Sequence, residues 1–240
     1  MKKIMMMNYK KKTFICILVL ISALMVFIQD LKAEPSSLLG PTGLINTPSA
    51  YTGSGFGYYS SGGSTFYKLN YALFSKAIET GMLYDKTGGT RSYNLKLPLI
   101  SESGYMPQVA LGAYNYKSQA VGQTNYIVLS KYVDSLGLTL HMGYMNNGGL
   151  KDASKLVNYK TIQDAIDDVK NKSGKTFIGL EYSFFPMFAI IGEYQNEAIN
   201  GGLRFKPLPV LTLDYDIIDL KNVKNLEKKR ILNFNFSFGF

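Results

Sequence analysis

Leu232-Asn233-Phe234-Asn235-Phe236-Ser237-Phe238-Gly239-Phe240 closes the chain, with an apolar side chain at every second position. Successive side chains of a β-strand point to opposite faces, so this stretch carries an aromatic stripe on one face and small polar groups on the other. As an open edge in water such a strand invites aggregation. In a closed sheet facing lipid, its backbone has partners and its stripe has a solvent.

The alternation recurs upstream. Leu136, Leu138, Leu140, Met142 and Tyr144 oppose Gly137, Thr139, His141 and Gly143, and Leu211, Leu213, Tyr215 and Ile217 oppose Thr212, Asp214 and Asp216. Tyr93, Leu95, Leu97 and Leu99 oppose Asn94, Lys96 and Pro98, while Leu180, Tyr182 and Phe184 oppose Gly179, Glu181 and Ser183. Charges on the second face argue against two sheets packed on a dry core, because burying an unpaired charge is very costly. A wet lumen accepts them. The pattern predicts an all-β fold, a single transmembrane antiparallel barrel of about twelve strands. These fall near 55–61, 64–74, 76–85, 91–100, 106–117, 122–133, 136–146, 174–185, 187–197, 200–207, 210–219 and 228–240. Many have the ~9–11 residues that a tilted strand needs to cross a bilayer.

Loop lengths sort by parity, as outer-membrane barrels require of short periplasmic turns and longer external loops. The even-to-odd links near Ser75, 101–105, Asp134-Ser135, Pro186 and Leu208-Pro209 are short, whereas 147–173 and 220–227 are long. The expected domains are therefore a signal peptide over 1–33, a periplasmic segment over 34–54 acting as rim or plug, and a barrel over 55–240. Phe234, Phe236, Phe238 and Phe240 supply the address for the barrel-assembly machinery of a Gram-negative-type bacterium. With no Trp in the chain, tyrosines such as Tyr58, Tyr71, Tyr84, Tyr132, Tyr144 and Tyr194 are expected to form the interfacial girdles.

The 240 residues carry 26 Lys and Arg against 17 Asp and Glu, but the excess is concentrated at the start. Lys2, Lys3, Lys10, Lys11 and Lys12 precede an apolar run, Thr13 to Ile28, with Ala33 at a plausible cleavage position, which reads as a secretory signal. Removing 1–33 takes away six Lys and one Asp, leaving 20 basic and 16 acidic residues, a net charge of +4. That modest excess gives no reason to expect nucleic acid as a partner. Cys16 is the single cysteine and His141 the single histidine, which excludes an intrachain disulfide and leaves no ligand set for a zinc site.

Catalytic readings find little support. Gly143 stands where the outer-membrane phospholipase pattern places a serine two residues after its histidine. Asp214 and Asp216 share a face without a nearby His, and the glycine-rich 53–63 stretch opens no helix that could cradle phosphate. No enzyme activity, cofactor or metal is expected. The inward face instead offers lumen candidates: Lys96, Lys131, His141, Glu181, Glu193, Arg204, Lys206, Asp214 and Asp216, with Lys68 and Glu79 beside them. Their cations suggest an interior leaning toward anions, offset by Glu79, Glu181, Glu193 and Asp214, and Glu193 and Arg204, on adjacent strands, are expected to pair. An amphipathic helix around Ile162, Ala165, Ile166 and Val169 is expected in the longest external loop. The last loop is basic through Lys221, Lys224, Lys228, Lys229 and Arg230, and suits lipopolysaccharide phosphates or an acidic polysaccharide.

Two stretches carry a resemblance. Gly40-Pro41-Thr42-Gly43-Leu44-Ile45-Asn46-Thr47-Pro48-Ser49-Ala50 is one. Glu193-Tyr194 followed by Ile199-Asn200-Gly201-Gly202-Leu203-Arg204-Phe205-Lys206-Pro207-Leu208-Pro209 is the other. Together they resemble the YjbH family of Gram-negative outer-membrane proteins, which is linked to exopolysaccharide and capsule production. The resemblance implies a cell-outer-membrane barrel that takes part in polysaccharide export or surface assembly, as passive channel or docking site. The competing expectation is a closed structural or adhesive barrel. The partners implied are outer-membrane lipid and lipopolysaccharide, the assembly machinery and an acidic polysaccharide.

Overall fold

A computed structural model of the chain describes residues 34–61, 63–116, 123–147, 174–195, 198–220 and 229–238. Twelve strands follow one another: β1 Ser54–Ser61, β2 Ser64–Leu73, β3 Ile78–Asp85, β4 Thr90–Ile100, β5 Gln108–Tyr116 and β6 Thr124–Val133, then β7 Leu138–Asn147, β8 Gly174–Phe185, β9 Phe188–Gln195, β10 Ala198–Leu208, β11 Leu211–Ile218 and β12 Lys229–Phe238. Each pairs antiparallel with its sequence neighbours, and β1 pairs with β12 to close the barrel, from Ser54 opposite Phe238 to Ser60 opposite Leu232. The expected strands match these within about two or three residues at each end, the usual uncertainty of element boundaries. The external helix expected near 162–169 lies outside the described residues, as does Phe240.

Period-two patterning decides which side chains enter the barrel. Along β12, Ile231, Asn233, Asn235 and Ser237 are buried inside, while Leu232 and Phe236 are exposed outside. Outward aromatics meet across the seam: Tyr58 stacks on Phe234 at 5.1 Å between ring centroids, and Phe56 lies 5.6 Å from Phe236. Such cross-strand pairs hold register. Pro98 has no N–H to give a ladder, and it sits in β4 where the pairing with β5 slips between Pro98 and Ile100.

The connections alternate in character. Links at the end holding Ser54 and Phe238 (the terminus end) cover 74–77, 101–107, 134–137, 186–187 and 209–210. The two longest gaps, 148–173 and 219–228, fall at the far end.

Residues 34–53 run inside the barrel and fold back on themselves. Bridges join Ser36 to Thr42 and Gly43 to Pro48, and the Leu38 N–H donates to the Ile45 carbonyl at 2.7 Å. Gly43 has no room for a side chain, because a Cβ there would run into the Thr47 carbonyl and lie 2.9 Å from the Pro48 backbone. Leu38, Leu44 and Ile45 of this segment are buried with Tyr59, Ile191 and Ile231 of the wall. Burying such side chains stabilises by roughly 1.5–3 kcal/mol each, which seats the segment against β1, β9 and β12. A second interior cluster gathers Ala50 with Tyr114, Tyr126, Val128, Met145 and Phe177.

Candidate functional site

The inward face of the wall and the internal segment form one hydrogen-bonded system. Glu79 on β3 accepts the Thr42 N–H at 2.9 Å and the Gly53 N–H at 3.0 Å. Lys96 on β4 pairs with Glu79 at 3.4 Å, both side chains being 0 % exposed. The same ammonium donates to the Tyr51 carbonyl at 2.7 Å, the Thr42 carbonyl at 3.1 Å and the Thr42 hydroxyl. Two buried charges therefore reach backbone groups of the segment as well as each other, which offsets part of their desolvation.

Further round, Lys68 on β2 donates to the Ser36 carbonyl at 2.9 Å and to Asn233 Oδ1 at 2.7 Å. Asn70 donates to the Gly40 carbonyl at 2.6 Å, and the Tyr59 hydroxyl to the Leu38 carbonyl at 2.9 Å. Ser130 Oγ accepts the Ala50 N–H at 2.7 Å and lies 2.7 Å from His141 Nδ1. The pair fastens the segment to β6 and β7.

Glu193 and Arg204 do not pair. Glu193 opposes Asn200, and Arg204 opposes Ala189, four residues further along β10. Glu193 instead accepts the Asn46 N–H at 2.8 Å, the Thr47 N–H at 3.0 Å and Asn200 Nδ2 at 2.8 Å. Arg204 grips Asp214 on β11 with Nε at 2.8 Å and Nη2 at 3.1 Å, and reaches Glu181 on β8 with Nη1 at 2.5 Å. Lys206 completes the group by donating to Glu181 at 2.7 Å. A two-pronged guanidinium–carboxylate contact is among the stronger charge-assisted bonds.

Of the other sequence candidates, Asp216 is 0 % exposed and, among the described residues, neither of its carboxylate oxygens has a hydrogen-bond partner. Lys131 is not in the lumen. On β6 the inward residues are Tyr126, Val128 and Ser130, so Lys131 has outward parity, and it bonds Glu102 at 3.0 Å and the Ser103 carbonyl at 2.7 Å in the 101–107 link. Lys229 and Arg230 begin β12 instead of sitting in a loop, and Arg230 is exposed. Lys221, Lys224 and Lys228 lie outside the described residues. Lys68, Lys96, Arg204 and Lys206 each hold an oxygen of the protein.

A latch at the terminus end went unread in the sequence. The Tyr51 hydroxyl donates to Glu102 at 2.6 Å, and Glu102 also accepts the Tyr132 N–H at 3.0 Å. Burial alone would push the Glu102 carboxyl up, but the bonds from Tyr51, Lys131 and the Tyr132 N–H outweigh it and hold the group below its ordinary value. Burial and the bond to Glu102 push the Tyr51 phenol well up. A depressed carboxylate contributes stability above the ordinary carboxylate range and loses it as pH falls through its lowered value. In urea titrations, Glu102→Gln is therefore expected to weaken the barrel by about 0.2–1 kcal/mol at pH 7, the scale of a partly exposed pair. The difference from wild type should close in acid. A gap that is unchanged in acid would show that the Glu102 charge contributes nothing.

Comparisons with known proteins fit this architecture. A family model described as "YjbH: Exopolysaccharide biosynthesis protein YbjH" matches residues 36–216, spanning the internal segment and most of the wall. No curated protein matches the chain. Among solved structures, the KdgM porin is similar with a TM-score of 0.51 and 9 % identity, over 78 % of this chain and 100 % of that one. The KdgM porin in complex with disordered oligogalacturonate is similar with a TM-score of 0.52 and 10 % identity, over the same shares of the two chains. At these identities the likeness concerns the barrel fold.

Proposed function

The chain belongs to the YjbH exopolysaccharide biosynthesis family, and from that premise we propose that it is an outer-membrane barrel taking part in the export or surface assembly of an exopolysaccharide, with residues 34–53 as a displaceable plug. Exposed apolar side chains on the outward faces of the strands support the membrane reading. An N-terminal secretory signal, cleaved near Ala33, agrees with it. No step of the proposed role is chemical, so the protein works without enzyme activity.

The observation that carries the role is what holds the plug. Backbone oxygens of Ser36, Thr42 and Tyr51 occupy the ammonium groups of Lys68 and Lys96. Those oxygens stand where the carboxylates of an acidic saccharide would bind once the plug withdraws. Oligogalacturonate, the acidic saccharide in the KdgM porin complex, supports that ligand class. In this reading the plugged barrel is the resting state, and passage requires the plug to move.

A second reading rests on the same filled interior: a barrel that never opens and serves as a surface scaffold or adhesin. Gly179 on β8 separates the two. A Cβ there would lie 2.6 Å from Leu44 Cδ1 and 3.3 Å from Thr47 Cγ2, so Gly179→Leu places a side chain where the plug now packs. In planar bilayers the wild type is expected to be silent. Gly179→Leu, with folding checked by heat-dependent gel mobility, is expected to pass a steady current that oligogalacturonate blocks. A folded but silent variant would give the scaffold reading precedence. Current that ignores the saccharide would reject the acidic ligand.

A further inference from the structure

The two ends of the internal segment lie together. The Glu34 carbonyl oxygen stands 2.9 Å, and the Glu34 nitrogen 3.8 Å, from the point that a Cβ on Gly53 would occupy. Gly53 itself donates its N–H to Glu79 at 3.0 Å. The plug therefore begins and ends at one place, and its first nitrogen lies next to a residue held by a buried carboxylate.

Charge is out of balance there. The Glu34 side chain is partly buried, and its carboxylate takes one hydrogen bond, from Ser49 Oγ at 2.7 Å. Among the described residues it forms no ion pair: Lys96 and Lys206, the cations whose fields reach it, are engaged by Glu79 and Glu181. Glu181 adds repulsion of its own. The wider interior leans the same way, since among the described residues six carboxylate side chains are buried against three of Lys and Arg. A buried charge without a counter-charge is costly, so a cation placed here stabilises more than one on the surface.

We infer that the plug receives that cation when the secretory signal is removed: the ammonium freed at Glu34 seats beside the Glu34 and Glu79 carboxylates and fastens the segment. Water adds across the Ala33–Glu34 peptide bond, leaving a carboxylate on Ala33, which departs with the signal, and an ammonium on Glu34. Before cleavage the same nitrogen is a neutral amide. The precursor thus carries a plug one cation short, and processing completes it. This role rests on the export reading, in which cleavage falls at Ala33, and the experiment separates the two.

The terminus comes first. Mass spectrometry of the protein taken from outer membranes is expected to give a chain that begins at Glu34. A chain in that membrane that begins anywhere else would overturn the role of the ammonium and keep the export reading. A chain found only outside that membrane would remove both.

Charge is then tested on residues 34–240, released from a leader by a protease that leaves nothing behind. At about pH 6.5 the α-amine of the unfolded chain, with a pKa of about 8 against about 10.4 for lysine, reacts selectively. Acetylation abolishes its charge and reductive dimethylation keeps it. After refolding, amides 36–50 of the acetylated chain are expected to exchange about tenfold to a hundredfold faster than those of the free chain, the scale of hydrogen bonds to a charged group. Amides of β7 to β10 should not change, and the dimethylated chain should exchange like the free one. Acetylated and free chains that exchange alike, or acetylated and dimethylated chains that exchange equally fast, would overturn the role. Where the acetylated chain refolds poorly, a Gly-Ser extension ahead of Glu34, which carries the charge about 7 Å away, takes its place with the same expectation.

Discussion

Arg204→Met is expected to lower the stability of the refolded barrel by about 3–5 kcal/mol, the cost of breaking a buried ion pair on one side. The side chain is 1 % exposed and serves Asp214 with two nitrogens and Glu181 with a third. Its loss leaves two buried carboxylates on β8 and β11, with Lys206 able to compensate Glu181 alone. Asp216, with no hydrogen-bond partner among the described residues, sits two residues along the same face of β11. Arg204→Lys keeps the charge but cannot offer a planar fork, and should recover part of the loss. Arg230→Met, at an exposed strand end, is the control and should stay within about 0.5 kcal/mol of wild type. Urea midpoints in lipid or detergent measure all three. An Arg204→Met midpoint equal to that of Arg230→Met would mean that the guanidinium is dispensable to the wall.

The second large effect concerns the plug alone. Lys96→Met removes the ammonium that joins Glu79 to the Thr42 and Tyr51 carbonyls. Glu79 is then left at 0 % exposure with N–H groups of the plug but, among the described residues, no cation within bonding distance. About 3–5 kcal/mol is again at stake, but here a low-cost escape exists: the plug withdraws and water reaches the carboxylate. Hydrogen exchange should therefore accelerate by orders of magnitude at amides 36–50 and hardly at all in β7 to β10. Lys96→Met combined with Glu79→Gln removes the stranded charge while keeping an acceptor for the Thr42 and Gly53 N–H groups. It should slow exchange again. If the double variant exchanges as fast as the single one, the charge balance of this pair does not hold the plug.

Strand positions, closure and the sorting of short and long links were legible in the sequence, because period two is a local signal and repeats twelve times. The inward placement of Lys96, His141, Glu181, Glu193, Arg204, Asp214 and Asp216 follows from the same parity. Pairing does not. Glu193 and Arg204 are on neighbouring strands as expected, yet their partners depend on register, which parity alone does not report. Lys131, expected in the lumen, shares the outward side of β6 with the exposed Leu129, as its odd number on that strand requires. The contacts of the plug with the wall were beyond reach, since residues 34–53 have no periodicity and their partners lie 21 to 199 residues away, as between Leu38 and Tyr59 or Ser36 and Asn235.

The covalent junction between plug and wall bears on how the molecule is made. Gly53 ends the internal segment and Ser54 begins β1, the strand whose pairing with β12 is the last contact needed to close the cylinder. That seam joins residues some 180 positions apart, and contacts of such separation form slowly. The internal segment bonds Glu79, Lys96, Ser130 and Glu193, on four strands spread round the wall, so whatever orders those contacts also bears on the strand that makes the seam.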